Sequence, residues 1–202
     1  MRAARRAARW SWSALRPRTI YGYALNSPMN MTSVLAVYAA ISKELGLPLR
    51  FPGSEKAYRA LVQGVDADLI ARAVLWAGDS AAAQNQTYNI TNGDLFRWSR
   101  MWPHIAGLFG LATAEPQPIP LVEFMSAHAP LWNAMVRRHD LRPIGYGDVA
   151  AWPFGQFILQ REFDHVLDTT KLRAHGFDGF ADTYRMFEQQ LARLRADAII
   201  PR

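Results

Sequence analysis

Seven phenols in this chain could move a proton: Tyr21, Tyr23, Tyr38, Tyr58, Tyr88, Tyr146 and Tyr184. A phenol exchanges its proton near neutral pH only when a nearby cation lowers its pKa. None of the seven is followed by a lysine four residues on, and the lysines are Lys43, Lys56 and Lys171 alone. His104, His128, His139, His165 and His175 are scattered, with no i, i+4 pair enclosing a carboxylate, so a metal site fails on spacing. Cysteine is absent, which removes disulfides, thiolate zinc sites and cysteine nucleophiles. No Gly-x-Ser-x-Gly elbow occurs, and Ser54, which follows Gly53, reads as a helix cap. Asp66, Asp68 and Asp94 each precede a helical pattern, where free backbone N–H groups account for a carboxylate without catalysis. Neither a Gly-x-Gly-x-x-Gly nor a Walker-type loop is present to cradle a pyrophosphate. From the residues alone, no catalytic side chain and no metal ligand is expected.

The elements that would position a binding site are clearer. Trp12–Leu15 reads as a short buried strand that Pro17 ends, and Gly22 permits a sharp bend before Ser27-Pro28-Met29-Asn30. Apolar residues at helical spacing run from Met31 to Leu45 and stop at Gly46, a left-handed cap. Leu49–Phe51 is expected to be a strand, Pro52-Gly53 a turn, and Tyr58–Val62 a second strand or extended piece. Asp66 or Asp68 caps a helix carrying Leu69, Ile70, Ala73, Val74 and Trp76. Gln86–Ile90 is a strand ended by Asn92-Gly93, after which Asp94 caps a helix to about Leu108 with Phe96, Trp98 and Trp102 buried. Pro116, Pro118 and Pro120 make an extended connector, and Pro130 breaks the helical stretch from Leu121 to Arg138. Ordered segments follow at Tyr146–Leu159 and Asp168–Leu172, then a tight turn over Gly176–Phe180 and a closing helix from Asp182 to Arg195.

Strands this few and short do not build an independent sheet. They make better sense as the far edge of a larger parallel sheet, with a helical lid. The 202 residues, half of them hydrophobic, suffice for one core. The net charge of +6 equals the contribution of Arg2, Arg5, Arg6, Arg9, Arg16 and Arg18, leaving a near-neutral remainder. No later stripe interleaves stacking aromatics with cations, so a nucleic-acid partner is not expected. Met1–Arg9 reads as the tail of a helix, no apolar run is long enough to span a bilayer, and the expected compartment is the cytoplasm.

Several blocks together resemble one family: Arg16-Pro17-x-x-Ile20-Tyr21-Gly22, Met29-Asn30, Val37-Tyr38-Ala39-Ala40, Leu49-Arg50-Phe51-Pro52-Gly53, Asp66-Ala67-Asp68-Leu69-Ile70-Ala71, Asn89 through Trp98 and His175-Gly176-Phe177. The chain is similar to the carboxyl-terminal half of the progesterone 5β-reductase and iridoid synthase-like group of atypical extended short-chain dehydrogenases/reductases. The resemblance implies an α/β fold: the end of a Rossmann cofactor-binding part over residues 1–30, then edge strands and a helical substrate-binding region over 31–202. It implies NADP as cofactor and a small apolar enone as substrate, whose C=C bond accepts a hydride while a lysine-assisted tyrosine stabilises the enolate. That tyrosine, its lysine and the glycine-rich loop would lie upstream of Met1, so this chain is expected to be inactive alone. By resemblance Ile20, Ser27, Pro28 and Met29 border the cofactor, and Met29 and Phe154 line the substrate pocket. Pro28 departs from the residue usual at its position, and Met29 and Phe154 are equally readable as core packing. Two functions follow: the substrate-side half of an enone reductase, truncated from its gene, or a non-catalytic binding domain that pairs with a separate cofactor-binding chain.

Overall fold

The computed structural model describes residues 10–202; the helix tail expected at Met1–Arg9 lies outside the described residues. Strand β1 covers Ser13–Pro17, so Pro17 is its last residue, and a second strand, β2 (Thr19–Tyr21), follows after Arg18. Helix α1 (Met31–Glu44) starts where the Asn30 side chain accepts the Ser33 N–H and ends two residues before Gly46, whose φ of 68° suits a residue lacking Cβ. Every residue from Met31 to Ser42 is buried, so α1 is a central helix wrapped on all sides. Alanines at 36, 39 and 40 let its neighbours approach closely.

After β3 (Leu49–Arg50) the chain departs from expectation. Residues Glu55–Arg59 form a short helix, α2, because the Ser54 hydroxyl accepts the Ala57 N–H and caps it; only Leu61–Val62 is extended, as β4. A strand not foreseen, β5 (Gly64–Asp66), leads into α3 (Ala67–Asp79), and of the two candidate caps it is Asp66 that accepts the Asp68 N–H. Then come β6 (Gln86–Ile90), β7 (Phe96–Arg97), α4 (Trp98–Leu108) and β8 (Thr113–Ala114). Asp94 does not cap α4, which begins four residues later without a side-chain cap. Its carboxylate instead accepts the Thr183 backbone N–H at 2.9 Å and hydroxyl at 2.6 Å, serving a helix far along the chain. The helical remainder is α5 (Leu121–Ser126), α6 (Ala129–Arg138), α7 (Tyr146–Val149), α8 (Trp152–Leu159), α9 (Thr170–Ala174) and α10 (Thr183–Ala196). Pro130 stands in the first turn of α6, where a missing N–H costs nothing, so the break falls just before it.

Strand pairing is pairwise. β1 runs parallel to β6, β2 to β5 and β3 to β8, while β4 and β7 are antiparallel. The main core gathers around α1 and includes Tyr21, Phe51, Trp98, Trp102 and Phe187. Trp102 is fully buried and its indole N–H donates to the Leu49 carbonyl at 3.0 Å, which fixes α4 against β3. A smaller cluster of Val65, Leu69, Tyr88, Ile90, Leu172 and Phe177 seals α3 and α9 onto β5 and β6.

Candidate functional site

One wall of the site is built where β1 passes into β2. Parallel pairing with β6 carries the chain to Pro17, and the Arg18 N–H still reaches the Ile90 carbonyl at 3.4 Å. Pairing with β5 then sets the alternation of β2: Tyr21 is wholly buried in the core, while Ile20, next to it, lines an open cavity. At Gly22 the chain bends against the start of α3, where an added Cβ would stand 2.8 Å from Ala67 Cβ.

The loop from 23 to 30 closes one side. Asn30, buried, donates to the Ala24 carbonyl at 2.6 Å and accepts the Ser33 N–H at 3.2 Å, so one amide both ties the loop and caps α1. Held this way, the loop turns Ser27 toward the cavity and leaves Met29 66% exposed at its rim. Helix α8 forms the opposite wall through Phe154, Phe157 and Ile158. It lies against α1 because Gly155 leaves room: a Cβ there would be 2.5 Å from Val34 Cγ1.

The enclosed volume is about 520 Å³, the size of a small-molecule site. Four of the five positions singled out from sequence meet there: Ile20, Ser27, Met29 and Phe154. Pro28 is exposed and is not part of the wall. The exposure of Met29 removes its core-packing reading, whereas Phe154 both packs on the core and faces the cavity. Arg18, Phe157, Ile158 and Arg161 were not anticipated. The signal for Phe157 and Ile158 was available, because 154, 157 and 158 fall on one face of α8, whereas Arg161 lies two residues past its end. Arg18 had counted only toward the charge excess.

The charge of this cavity is one-sided. Arg18 and Arg161 line it and no carboxylate does. The Arg18 guanidinium donates to Nδ1 of the buried His165, which therefore presents a lone pair on that nitrogen. The Arg161 guanidinium carbon lies 4.1 Å from the centre of the Phe157 ring, a cation–π stack. Burial, and then repulsion from Arg18, pulls Arg161 below the usual guanidinium pKa. Burial pushes the Tyr21 phenol well above its ordinary value, while the fields of Arg161 and Arg18 act in the opposite sense. Its hydroxyl has no hydrogen-bond partner. Tyr21 is thus a neutral phenol facing the core, unsuited to proton transfer. Among the described residues no cluster of His, Asp and Glu could hold a metal ion, and no helix is long and apolar enough to cross a membrane.

Comparison with known proteins places this geometry. Residues 1–201 match the PRISE-like Rossmann-fold domain. An (S)-8-oxocitronellyl enol synthase of Camptotheca acuminata is 37% identical over 204 residues, covering 98% of this chain and 52% of that protein. A 3-oxo-Delta(4,5)-steroid 5-beta-reductase of Arabidopsis thaliana is 35% identical over 195 residues, covering 95% of this chain and 50% of that protein. The chain thus spans about half the length of the curated relatives it matches. Among solved structures, the terminal R domain of the myxalamid PKS-NRPS pathway superposes with a TM-score of 0.56 at 16% identity, covering 98% of this chain and 47% of that one. A short-chain dehydrogenase/reductase superfamily protein from Agrobacterium tumefaciens, solved with NAD bound, gives a TM-score of 0.54 at 13% identity over 97% of this chain and 55% of that one. These likenesses carry the fold, a Rossmann-like α/β arrangement with few parallel strands. The chain therefore belongs to the PRISE-like Rossmann-fold family, the progesterone 5β-reductase and iridoid synthase-like group of short-chain dehydrogenases/reductases.

Proposed function

We propose that this chain supplies the substrate-side wall of an NAD(P)H-dependent reductase that saturates the C=C bond of a small apolar enone. The observation that carries the reading is the convergence of Ile20, Ser27, Met29 and Phe154, drawn from three separate segments, on one cavity of about 520 Å³. Residues 1–30 are the end of the cofactor-binding part, and 31–202 the substrate-binding region. A flat nicotinamide ring fits between the Ile20 strand and the Ser27–Met29 loop, where apolar atoms and a hydroxyl would hold it. Bound there, it would supply the hydride. The residues of this chain would orient the enone and exclude water through Met29, Phe154 and Phe157.

The rest of a nicotinamide dinucleotide finds no match in the chain's own sequence, which contains neither a glycine-rich turn for the pyrophosphate nor a tyrosine–lysine pair for the enolate. We therefore expect no turnover from this chain unaided. Fusing it to the amino-terminal half of the Camptotheca relative and following NADPH oxidation with trans-4-phenylbut-3-en-2-one tests the reading. Enone-dependent oxidation by the fusion, with none from this chain, supports it. A folded fusion that binds NADPH yet neither binds nor reduces any enone refutes it. A second reading, a non-catalytic domain that docks on a separate cofactor-binding chain, draws on one observation: among the described residues β1 has a single neighbour, β6, leaving its other edge open.

A further inference from the structure

The cavity holds two cations and nothing to neutralise them. Neither Arg18 nor Arg161 is within ion-pair distance of a carboxylate among the described residues, and positions 1–9 contain no Asp or Glu that could supply one. The nearby acidic side chains are committed elsewhere. Glu162 turns away to Ser54 and Lys56, and Asp164 accepts the Leu61 N–H. Arg18 gives one N–H to His165, but among the described residues its buried Nε has no acceptor. Arg161 is stacked on Phe157, which orients the guanidinium while leaving its in-plane donors unspent. A buried Arg18 Nε lacking an acceptor and a solvent-accessible Arg161 guanidinium on the same cavity make a site open to an acceptor.

We propose that Arg18 and Arg161 form an oxyanion subsite in this cavity, which selects a ligand bearing a carboxylate or phosphate beside its apolar body. The inference rests on the reading of the cavity as a ligand site and adds to it the polarity of what binds. Guanidinium geometry favours the class, since its planar fork matches a carboxylate or phosphate with two parallel hydrogen bonds. The apolar walls at Ile20, Met29, Phe154, Phe157 and Ile158 take the remainder of the molecule. An anion there would also relieve the repulsion between the two guanidinium groups, which adds to burial in depressing the Arg161 pKa.

Isothermal titration of the full chain with trans-cinnamate, its methyl ester, trans-4-phenylbut-3-en-2-one and inorganic pyrophosphate tests this. The acid should bind about tenfold more tightly than the ester, the size of one charge-assisted hydrogen bond. That preference should shrink with added NaCl in the unmodified chain. In R161Q the acid-to-ester ratio should fall to one, and R161K should keep part of it, with thermal unfolding used to establish that both variants are folded. If pyrophosphate binds through the same arginines and the acid does not, the subsite stands as a phosphate site. Equal binding of acid and ester with no pyrophosphate binding overturns it, as does an acid preference that survives in folded R161Q. The two readings fail separately. Ester and enone binding without an acid preference removes the subsite and leaves the enone reading, whereas arginine-dependent acid binding with no enone binding does the reverse.

Discussion

Replacing Gly155 with alanine should destabilise the fold and pull the α8 wall away from the cavity. The added Cβ would be 2.5 Å from Val34 Cγ1 and 3.4 Å from both Val34 Cγ2 and Leu121 Cδ2. Ordinary van der Waals contact begins about 0.9 Å further out than the first of these, so something must move. Val34 cannot simply rotate: it is fully buried within α1, and a β-branched residue in a helix has one strongly preferred rotamer. The strain therefore falls on the α1–α8 separation. Overpacking of this kind costs about 1–3 kcal/mol, and the better helix propensity of alanine offsets about 0.8–1 kcal/mol of it. The net loss should be up to about 2 kcal/mol, or a fall in Tm of up to about 8 °C for a chain of this length. Urea unfolding of the parent, G155A, V34A and the double variant measures it. Because V34A removes the methyls that clash, the two changes should couple favourably by at least about 1 kcal/mol. The reasoning is refuted if G155A is more stable than the parent, or if the two changes are simply additive.

Three further outcomes are expected. Trp102→Ala empties a fully buried indole site and strips the Leu49 carbonyl of its donor, so urea unfolding should register a loss of about 3–5 kcal/mol. Asp94→Ala leaves the Thr183 N–H and hydroxyl at the start of α10 without their acceptor, costing about 1–3 kcal/mol, and Asp94→Asn should recover part of that in the same assay. Asp66 has its pKa raised, chiefly by burial, so the folded chain holds that proton more tightly than the unfolded chain does. Its contribution is then fullest below the ordinary aspartate pKa and is lost as pH rises through the raised value. Asp66→Asn keeps an N-cap acceptor without the charge. Thermal unfolding should find it at least as stable as the parent at pH 7, with that advantage shrinking on acidification; a variant clearly less stable at pH 7 would contradict the assignment.

Where structure depends on neighbours in the chain, the sequence was readable. Helix α1 announced itself by an apolar period and Gly46, and α10 by Asp182, whose side chain accepts the Tyr184 and Arg185 N–H groups. The three-residue strands β2 and β5 were not readable, because each is defined by pairing with the other across the intervening α1, β3, α2 and β4 rather than by any local pattern. Asp94 shows the same limit: its position before a helical run suggested a local cap, yet the chain returns Thr183 to it from the far end.

For the site, the family resemblance singled out Ile20, Ser27, Pro28, Met29 and Phe154, and all of these but Pro28 line one cavity. What only the tertiary structure decided is the charge of that cavity. Arg18 and Arg161 lie far apart in the chain and carry no common motif, and they face one space because β1–β2 and α8 pack around the same central helix. Residue types and spacing fix what a segment can form locally. The direction in which packing turns two distant guanidinium groups belongs to the fold as a whole, since it depends on the burial of α1 on every side.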